Sequence, residues 1–430
     1  MTTAPLVCEI GDGEGWRLVG PDGRAVVMPD GFLGGAALAW LRPETVPAGP
    51  VAMIAPPAEA AGGDALPVWF GDDAAGDGWT PGDEARWSVD LIGTAFFLMS
   101  RYEEVARPVA DEHGRFPATA SLMAGAGVLD RPVVDQLCAW FGRLLRRQWP
   151  DLPLAQRAAR VLPSHDVDEP FRWAMQPAAR TLRRTAGHLL RRRDPAAAWG
   201  EASGWAAVRA GLRADPFDTF DRLMDEADAA AARAIFYFTS EGAHPVYDKP
   251  YSLASPRIQA LLNRIASRGH DVGLHPGYQT MEDGDEWRRQ LDRLAVAMPA
   301  GHSIAGVRHH YLRMRVPEAW RRAAAAGVGH EASLGFADAP GFRAGTAWAY
   351  GAWDVERSEA LDVQVQPLIL MEVSLLAEGY QSLSYEEAAA AIERLRSRSL
   401  AVGGDWSFLW HNSRLETARD WELFRRALRG

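Results

Sequence analysis

The chain has 430 residues, 47% of them apolar and 24% charged, the balance of a folded soluble protein long enough for two domains. Its net charge of -10 argues against a general nucleic-acid binder, which needs a positive surface field. Cys8 and Cys138 are too few for a disulfide framework or a thiolate metal site, no apolar run is long enough to span a bilayer, and the N-terminus MTTAPLVCEIGDGEG lacks the basic start and apolar stretch of a secretion signal, so a cytoplasmic location is expected.

Residues 1–155 read as one α+β domain. Short apolar runs (Pro5 to Ile10, Trp16 to Val19, Ala25 to Met28, Val51 to Ala55, Leu66 to Phe70) alternate with Gly, Pro and Asp clusters, the pattern of strands and turns. A helix is expected over Asp90 to Val105, and a second opens at Asp130 with Pro132 and runs to about Trp149. Asp151 to Arg160 reads as a linker.

From 156 to 430 the rhythm changes. β-rich runs at Val161 to Ser164, Ile235 to Thr239, Asp271 to Leu274, Ile304 to Val307, Gly327 to Leu334, Val363 to Leu370 and Trp406 to Trp410 alternate with helical patterns. Those helices are expected over Phe217 to Ala232, Pro256 to Ser267, Glu286 to Ala297, Pro317 to Ala326 and Ser384 to Ser397. Ser255 with Pro256, and Ser384 with Glu387, supply start signals. Seven strands alternating with helices predict an α/β domain of parallel, barrel-like build. Residues from Glu169 to about Pro216 interrupt it as an insertion. That insertion carries Arg180, Arg183, Arg184, Arg191, Arg192 and Arg193 among Leu182, Leu189 and Leu190. A basic amphipathic helix can dock on anionic lipid or grip a phosphate, although a solvated face is the commoner reason for such a run.

In a parallel barrel, reactive side chains collect where strands end. Here the strands run into SHDVD (His165, Asp166, Asp168), GLHPGY (His275), VRHHYLR (Arg308, His309, His310, Arg313) and LWHNS (His411, Asn412). A lone histidine after a strand is more often structural than catalytic. Two carboxylates at i and i+2 are different: they share one side of an extended segment and repel if buried, unless a cation intervenes. A carboxylate with imidazoles is a normal divalent site, and nitrogen ligands favour Zn²⁺. Seventeen tryptophans suit either sugar stacking or a large core. Trp173, Trp348, Trp353, Trp406 and Trp410 lie near the motifs. Asp338 and Arg343 follow a strand and read as a surface ion pair or a substrate contact. His244, Asp248 and Lys249 lie in a long loop after the second strand.

With HDVD, GLHP, R-x-H-Y-L-R and WHN in this order, residues 160 to 415 resemble the polysaccharide deacetylase superfamily, carbohydrate esterases related to chitooligosaccharide deacetylases. The closest likeness is to a branch with an added N-terminal domain, which the segments GTAFFLMSRYEE and SLGFADAPGFRAG also fit. The resemblance implies a distorted (β/α)7-type, TIM-like barrel over 156–430. It implies Asp166 as general base, Arg308 as the group that orients it, and His411 as general acid. It also implies Asp168 and His275 as metal ligands. Many relatives carry a second histidine four residues after the first, where this chain has Gln279, so His310 is the expected replacement in a three-ligand site. Alternation points His309 the other way. Glu331 stands where related sequences more often carry Asp. Tyr311, Arg313, Trp410 and Asn412 are expected on the substrate side.

The function expected is metal-dependent removal of an N-acetyl group from an amino sugar or glycan precursor, with Zn²⁺ as the ion and Co²⁺ or Mn²⁺ as alternatives. Partners would be an acetylated sugar, with peripheral contact to a lipid-linked substrate and no nucleic acid. The rival readings are a carbohydrate O-acetyl esterase with the same site and an inactive glycan-binding or scaffold protein.

Overall fold

The computed structural model describes residues 6–11, 15–55, 65–72, 76–155, 157–241, 244–249 and 251–430. Pro5, placed at the start of the first expected strand, lies outside them. In chain order the early strands are β1 (Val7–Gly11), β2 (Gly15–Val19), β3 (Ala25–Met28), β4 (Ala52–Ile54), β5 (Leu66–Val68), β6 (Trp79–Thr80) and β7 (Glu84–Trp87). The later ones are β8 (Val161–Val167), β9 (Ile235–Thr239), β10 (Asp271–His275), β11 (His330–Glu331), β12 (Tyr350–Asp354), β13 (Glu359–Val365), β14 (Leu370–Met371) and β15 (Trp406–Leu409). The chain is mixed α/β, and no helix among the described residues is long and apolar enough to cross a membrane.

The alternating half does not form a closed barrel among the described residues. Its strands lie in the orders β10-β9-β8-β15-β14 and β11-β13-β12. Two expected strands shrink. Ile304 to Val307 contributes only the single bridge of Val307 to Glu331, and of Gly327 to Leu334 only β11 is extended. The antiparallel partner of β13, β12, was not expected from the sequence. By contacts the chain divides into two units: Met1–Leu162 with Gly306–Phe408, and Pro163–Ala305 with Leu409–Gly430.

In the first unit, β1-β2-β3-β7-β6 form one sheet, antiparallel except for β3 beside β7. Its core is aromatic: Trp87 stacks on Phe141 of the helix Val133–Gln148 at 5.0 Å, and Phe32 meets Phe70, Phe97 and Tyr102 within 5.3 Å. The helix expected over Asp90 to Val105 is two, Leu91–Met99 and Tyr102–Ala106, broken at Arg101 with φ of 56°. Asp90 caps the first by accepting from Gly93 N at 2.7 Å, and also accepts from Phe32 N at 2.9 Å. Burial pushes its carboxyl up to about 6 despite these bonds.

The break at Arg101 serves an ion network. Its buried guanidinium donates to Glu103 at 2.6 Å, to Glu104 at 2.8 Å and to the carbonyl of Arg343 at 2.6 Å. Arg343 in turn grips Glu104 bidentately at 2.9 and 2.6 Å. Arg343 is therefore neither a surface residue nor a substrate contact. The network joins the two segments, GTAFFLMSRYEE and SLGFADAPGFRAG, that had stood out in the sequence. Trp40 Nε1 donates to Val355 O at 2.7 Å and Tyr350 Oη to Met99 O at 2.8 Å, so the β12–β13 hairpin packs on the same core.

In the second unit, β8, β9 and β10 are parallel, with Asp166 opposite Tyr237 and His275 opposite Thr239. Helices Phe220–Ala229, Pro256–Ser267 and Gly284–Ala297 bury Leu223, Ile258, Leu262 and Leu294. Ser255 makes no side-chain cap bond, and Pro256 alone marks that start. The insertion is two helices, Ala178–Leu190 and Pro195–Arg209.

Candidate active site

The strand β8 runs VLPSHDV with its last five residues buried, and Asp166 near its end and Asp168 just beyond it fall on one side of the extended chain. His165 takes the other side: its Nδ1 lies 2.8 Å from Trp410 O, and its ring packs on Phe236 and Phe424. It is a core residue. Asp166 is buried and Asp168 is about one-fifth exposed, at 22%.

His275 ends β10 and turns its Nε2 to both carboxylates, 3.3 Å from Asp168 Oδ1 and 3.5 Å from Asp166 Oδ2. His411 Nε2 lies 3.7 Å from the other Asp168 oxygen. Four of the residues named from the sequence thus converge. Carboxylates that share one imidazole in a mostly buried setting favour a cation beside them. Ligands about 2.1 Å from one tetrahedral Zn²⁺ stand roughly 3.4 Å apart. The 3.3 Å between His275 and Asp168 matches that spacing and is longer than an ordinary N–H···O bond of about 2.9 Å. Asp168 and His275 offer donor atoms suited to a metal ion, and His310, the third ligand expected from the sequence, belongs to the first unit. Gln279 sits on the turn Tyr278–Met281 and is exposed.

The loop after β10 is held from beneath. Asp248 accepts from His244 N and Tyr278 N, both at 2.9 Å, and Gln290 Oε1 accepts from Gly277 N at 2.8 Å. A Cβ at position 277 would stand 2.8 Å from Asp248 Oδ2, so a larger residue there would displace the carboxylate that holds the loop. Tyr251 Oη accepts from Thr239 N at 3.0 Å and donates to Val167 O at 2.7 Å, tying the ends of β8 and β9. None of these supports was singled out as such in the sequence; only proximity to His275 could have suggested them.

In the first unit, Arg308 is buried and its Nε donates to Ala332 O at 3.0 Å. His309 is committed to Ser333, whose Oγ is 2.8 Å from its backbone N and 3.2 Å from its Nδ1. Glu331 accepts from Ser333 N at 2.8 Å and lies 3.7 Å from His309 Nδ1. Burial alone would raise the Glu331 carboxyl, but bonds from His309 and Ser333 outweigh it and hold the group below its usual range. His310 is buried, with its ring edge-on to Tyr311 at 4.8 Å.

Tyr311 adopts φ of 63° and Leu312 φ of 52°, a left-handed bend that side chains resist. The loop 111–115 pins it. Arg115 donates to Tyr311 O at 3.1 Å and is itself held by Asp111 at 2.7 Å, while Arg313 donates to His113 O at 2.6 Å. Arg313 is thus engaged with backbone on at least one side.

The five tryptophans near the motifs went to packing. Trp406 and Trp410 are fully buried, Trp173 lies under Arg172 at 4.8 Å, and Trp348 under Arg157 at 5.1 Å. Trp353 packs on Phe96. Trp410 therefore presents no face to a sugar. Asn412 is buried too: its amide donates to Glu169 O at 3.0 Å and Phe217 O at 2.9 Å, and it braces the strand end. Asp338 accepts from Ala118 N at 3.1 Å.

Residues 53–150 match the model of a family of unknown function, DUF7033. No curated protein matches the chain. Among solved structures, one named as a polysaccharide deacetylase from Mycobacterium smegmatis is similar at 18% identity and a TM-score of 0.39, over 65% of this chain and 85% of that one. Another so named, from Pseudomonas aeruginosa PAO1, is similar at 14% identity and a TM-score of 0.36, over 65% and 88%.

Proposed function

We propose that the chain is a metal-dependent hydrolase that removes acetyl groups from an amino sugar or glycan precursor, working in the cytoplasm. The observation that carries the reading is the convergence of Asp166 and Asp168 on His275 Nε2, with His411 against the second oxygen of Asp168. Asp168, His275 and His310 are the proposed ligands, and an imidazole-rich set suits Zn²⁺. The ion, when bound, would lower the pKa of water and polarise the acetyl carbonyl.

The protein's own groups then do the proton work. Asp166 takes the proton from the attacking water as the new C–O bond forms. Arg308 keeps that carboxylate oriented. His411 gives its proton to the departing amine nitrogen as the C–N bond breaks, and acetate leaves. Tyr311 and Arg313 are proposed on the substrate side. We propose further that 156–430 is a distorted (β/α)7-type barrel module and 1–155 an N-terminal module, within which the family match at 53–150 falls and whose core is completed by the segments around Arg343 and Val355.

The test is metal content and acetate release together. The parent should hold about one equivalent of divalent metal, as expected for a three-ligand site. Asp168→Ala, His275→Ala and His310→Ala should lose it, and Gln279→Ala should keep it. Asp166→Asn and His411→Ala should keep metal but lose about 10²- to 10⁴-fold in turnover. No bound metal after incubation with Zn²⁺, Co²⁺ or Mn²⁺ would refute the mechanism. Release of acetate from O-acetylated sugars alone would move the substrate class to esters.

A further inference from the structure

The helix Ala178–Leu190 is built inside out. Its inner side is polar: Thr181 is buried and bonded to Gln176 at 2.8 Å, which also reaches Glu201 of the helix Pro195–Arg209 at 3.0 Å. Arg184 adds contacts to Glu201 at 3.4 Å and Gln176 at 3.2 Å. The outer side is apolar. Leu182, Ala186, Leu189 and Leu190 follow the i, i+4, i+7, i+8 spacing of one helical face, and Leu182 and Leu190 are 71% and 80% exposed. On the second helix, four residues from its start, Trp199 is 75% exposed.

Basic charge surrounds this apolar face. Between Pro177 and Arg193 there are six arginines and no acidic residue, in a chain of net charge -10. Arg183, Arg191, Arg192 and Arg193 make no ion pair among the described residues and are exposed. The turn joining the helices therefore presents Leu189, Leu190, three consecutive arginines and Trp199 within eleven positions.

Exposed leucines on one face call for a cover. A second copy of the chain would bring a like cluster of unpaired arginines against this one, which costs rather than gains. An anionic bilayer meets both features at once: leucine and indole enter the boundary of headgroup and acyl chain while guanidiniums lie at the phosphates. We infer that the hairpin of residues 178–209 docks the protein on an anionic lipid surface. The inference stands apart from the hydrolase reading, because no residue of the proposed centre lies in the hairpin.

The full chain is mixed with vesicles of phosphatidylcholine alone, or with about 30% phosphatidylglycerol, an anionic lipid, and sedimented. Binding should need the anionic lipid and weaken in about 0.5 M salt. Replacing Arg191, Arg192 and Arg193 by Ala should weaken it by about fivefold per charge, roughly a hundredfold in all. Leu189→Ser with Leu190→Ser should weaken it without altering the charge. All five positions are exposed, so the fold should survive, and unchanged circular dichroism confirms it. Equal binding to both vesicles, no binding, or indifference to both variants would overturn the proposal. So would concentration-dependent dimers abolished by the two serines, which would make a second copy the cover.

Discussion

Removing the carboxylate of Glu104 puts the ion network to a quantitative test. In Glu104→Gln the side-chain volume is kept, but the negative charge is lost and one of the two oxygens that Arg343 grips, at 2.6 and 2.9 Å, becomes an NH2 that cannot accept. Arg101 keeps Glu103 at 2.6 Å, so the uncompensated charge falls on Arg343, which is 2% exposed. Breaking a buried pair by removing one partner costs about 3–5 kcal/mol. Adding Arg343→Met removes the stranded charge and should recover much of that loss, so the double variant should be more stable than the sum of the singles. Burial alone would raise the Glu104 carboxyl, but Arg343 and Arg101 outweigh it and hold the group below its ordinary value. Its native pKa being depressed, the contribution is complete above the unfolded value of about 4.5 and is lost as pH falls through the native one. Urea unfolding at neutral and acid pH, followed by tryptophan fluorescence, measures each term. A single variant within about 1 kcal/mol of the parent, or strictly additive singles, would refute the assignment.

Asp135, which accepts from Thr346 at 2.6 Å and Ala347 N at 2.7 Å, is pushed up to about 7, chiefly by burial. Its raised native pKa means stability falls as pH climbs from about 4 to 7, and Asp135→Asn should flatten that slope in a pH series of melting curves. Arg115→Ala frees the carbonyl of Tyr311 and should cut turnover about 10- to 100-fold by loosening the loop, with metal content unchanged by elemental analysis. Trp410→Ala should cost about 3–5 kcal/mol in urea unfolding, as expected of a packed indole rather than a sugar platform.

Where local chemistry decides, the sequence was readable. Ile235 to Thr239 is β9 and Pro256 to Ser267 is a helix to the residue, because apolar periodicity and proline speak locally. The capping box of Ser384 and Glu387 is made as expected. The break at Arg101 was not readable, since a left-handed residue amid helix formers is held there by a carbonyl some 240 residues away. For the same reason Arg343 looked exposed, although its partner Glu104 lies far back in the chain. In the candidate site, Asp166, Asp168, His275 and His411 were legible from strand-end position and residue type. Trp410 and Asn412 share that position yet serve packing and backbone bracing, a distinction that depends on what covers them.

The first unit closes around residues drawn from both ends of a long sequence interval, Met1–Leu162 and Gly306–Phe408. Translation therefore delivers its opening aromatic core well before the β12–β13 hairpin and the Arg343 segment that complete it. At ribosomal rates of about 5–20 residues per second, the wait is roughly ten to fifty seconds. During that time Trp40, Met99 and Arg101 lack the partners they have in the finished protein. A fragment ending at residue 155 would be held in that state permanently, prone to aggregate, so the boundary at which the sequence changes rhythm is a poor place to cut the gene.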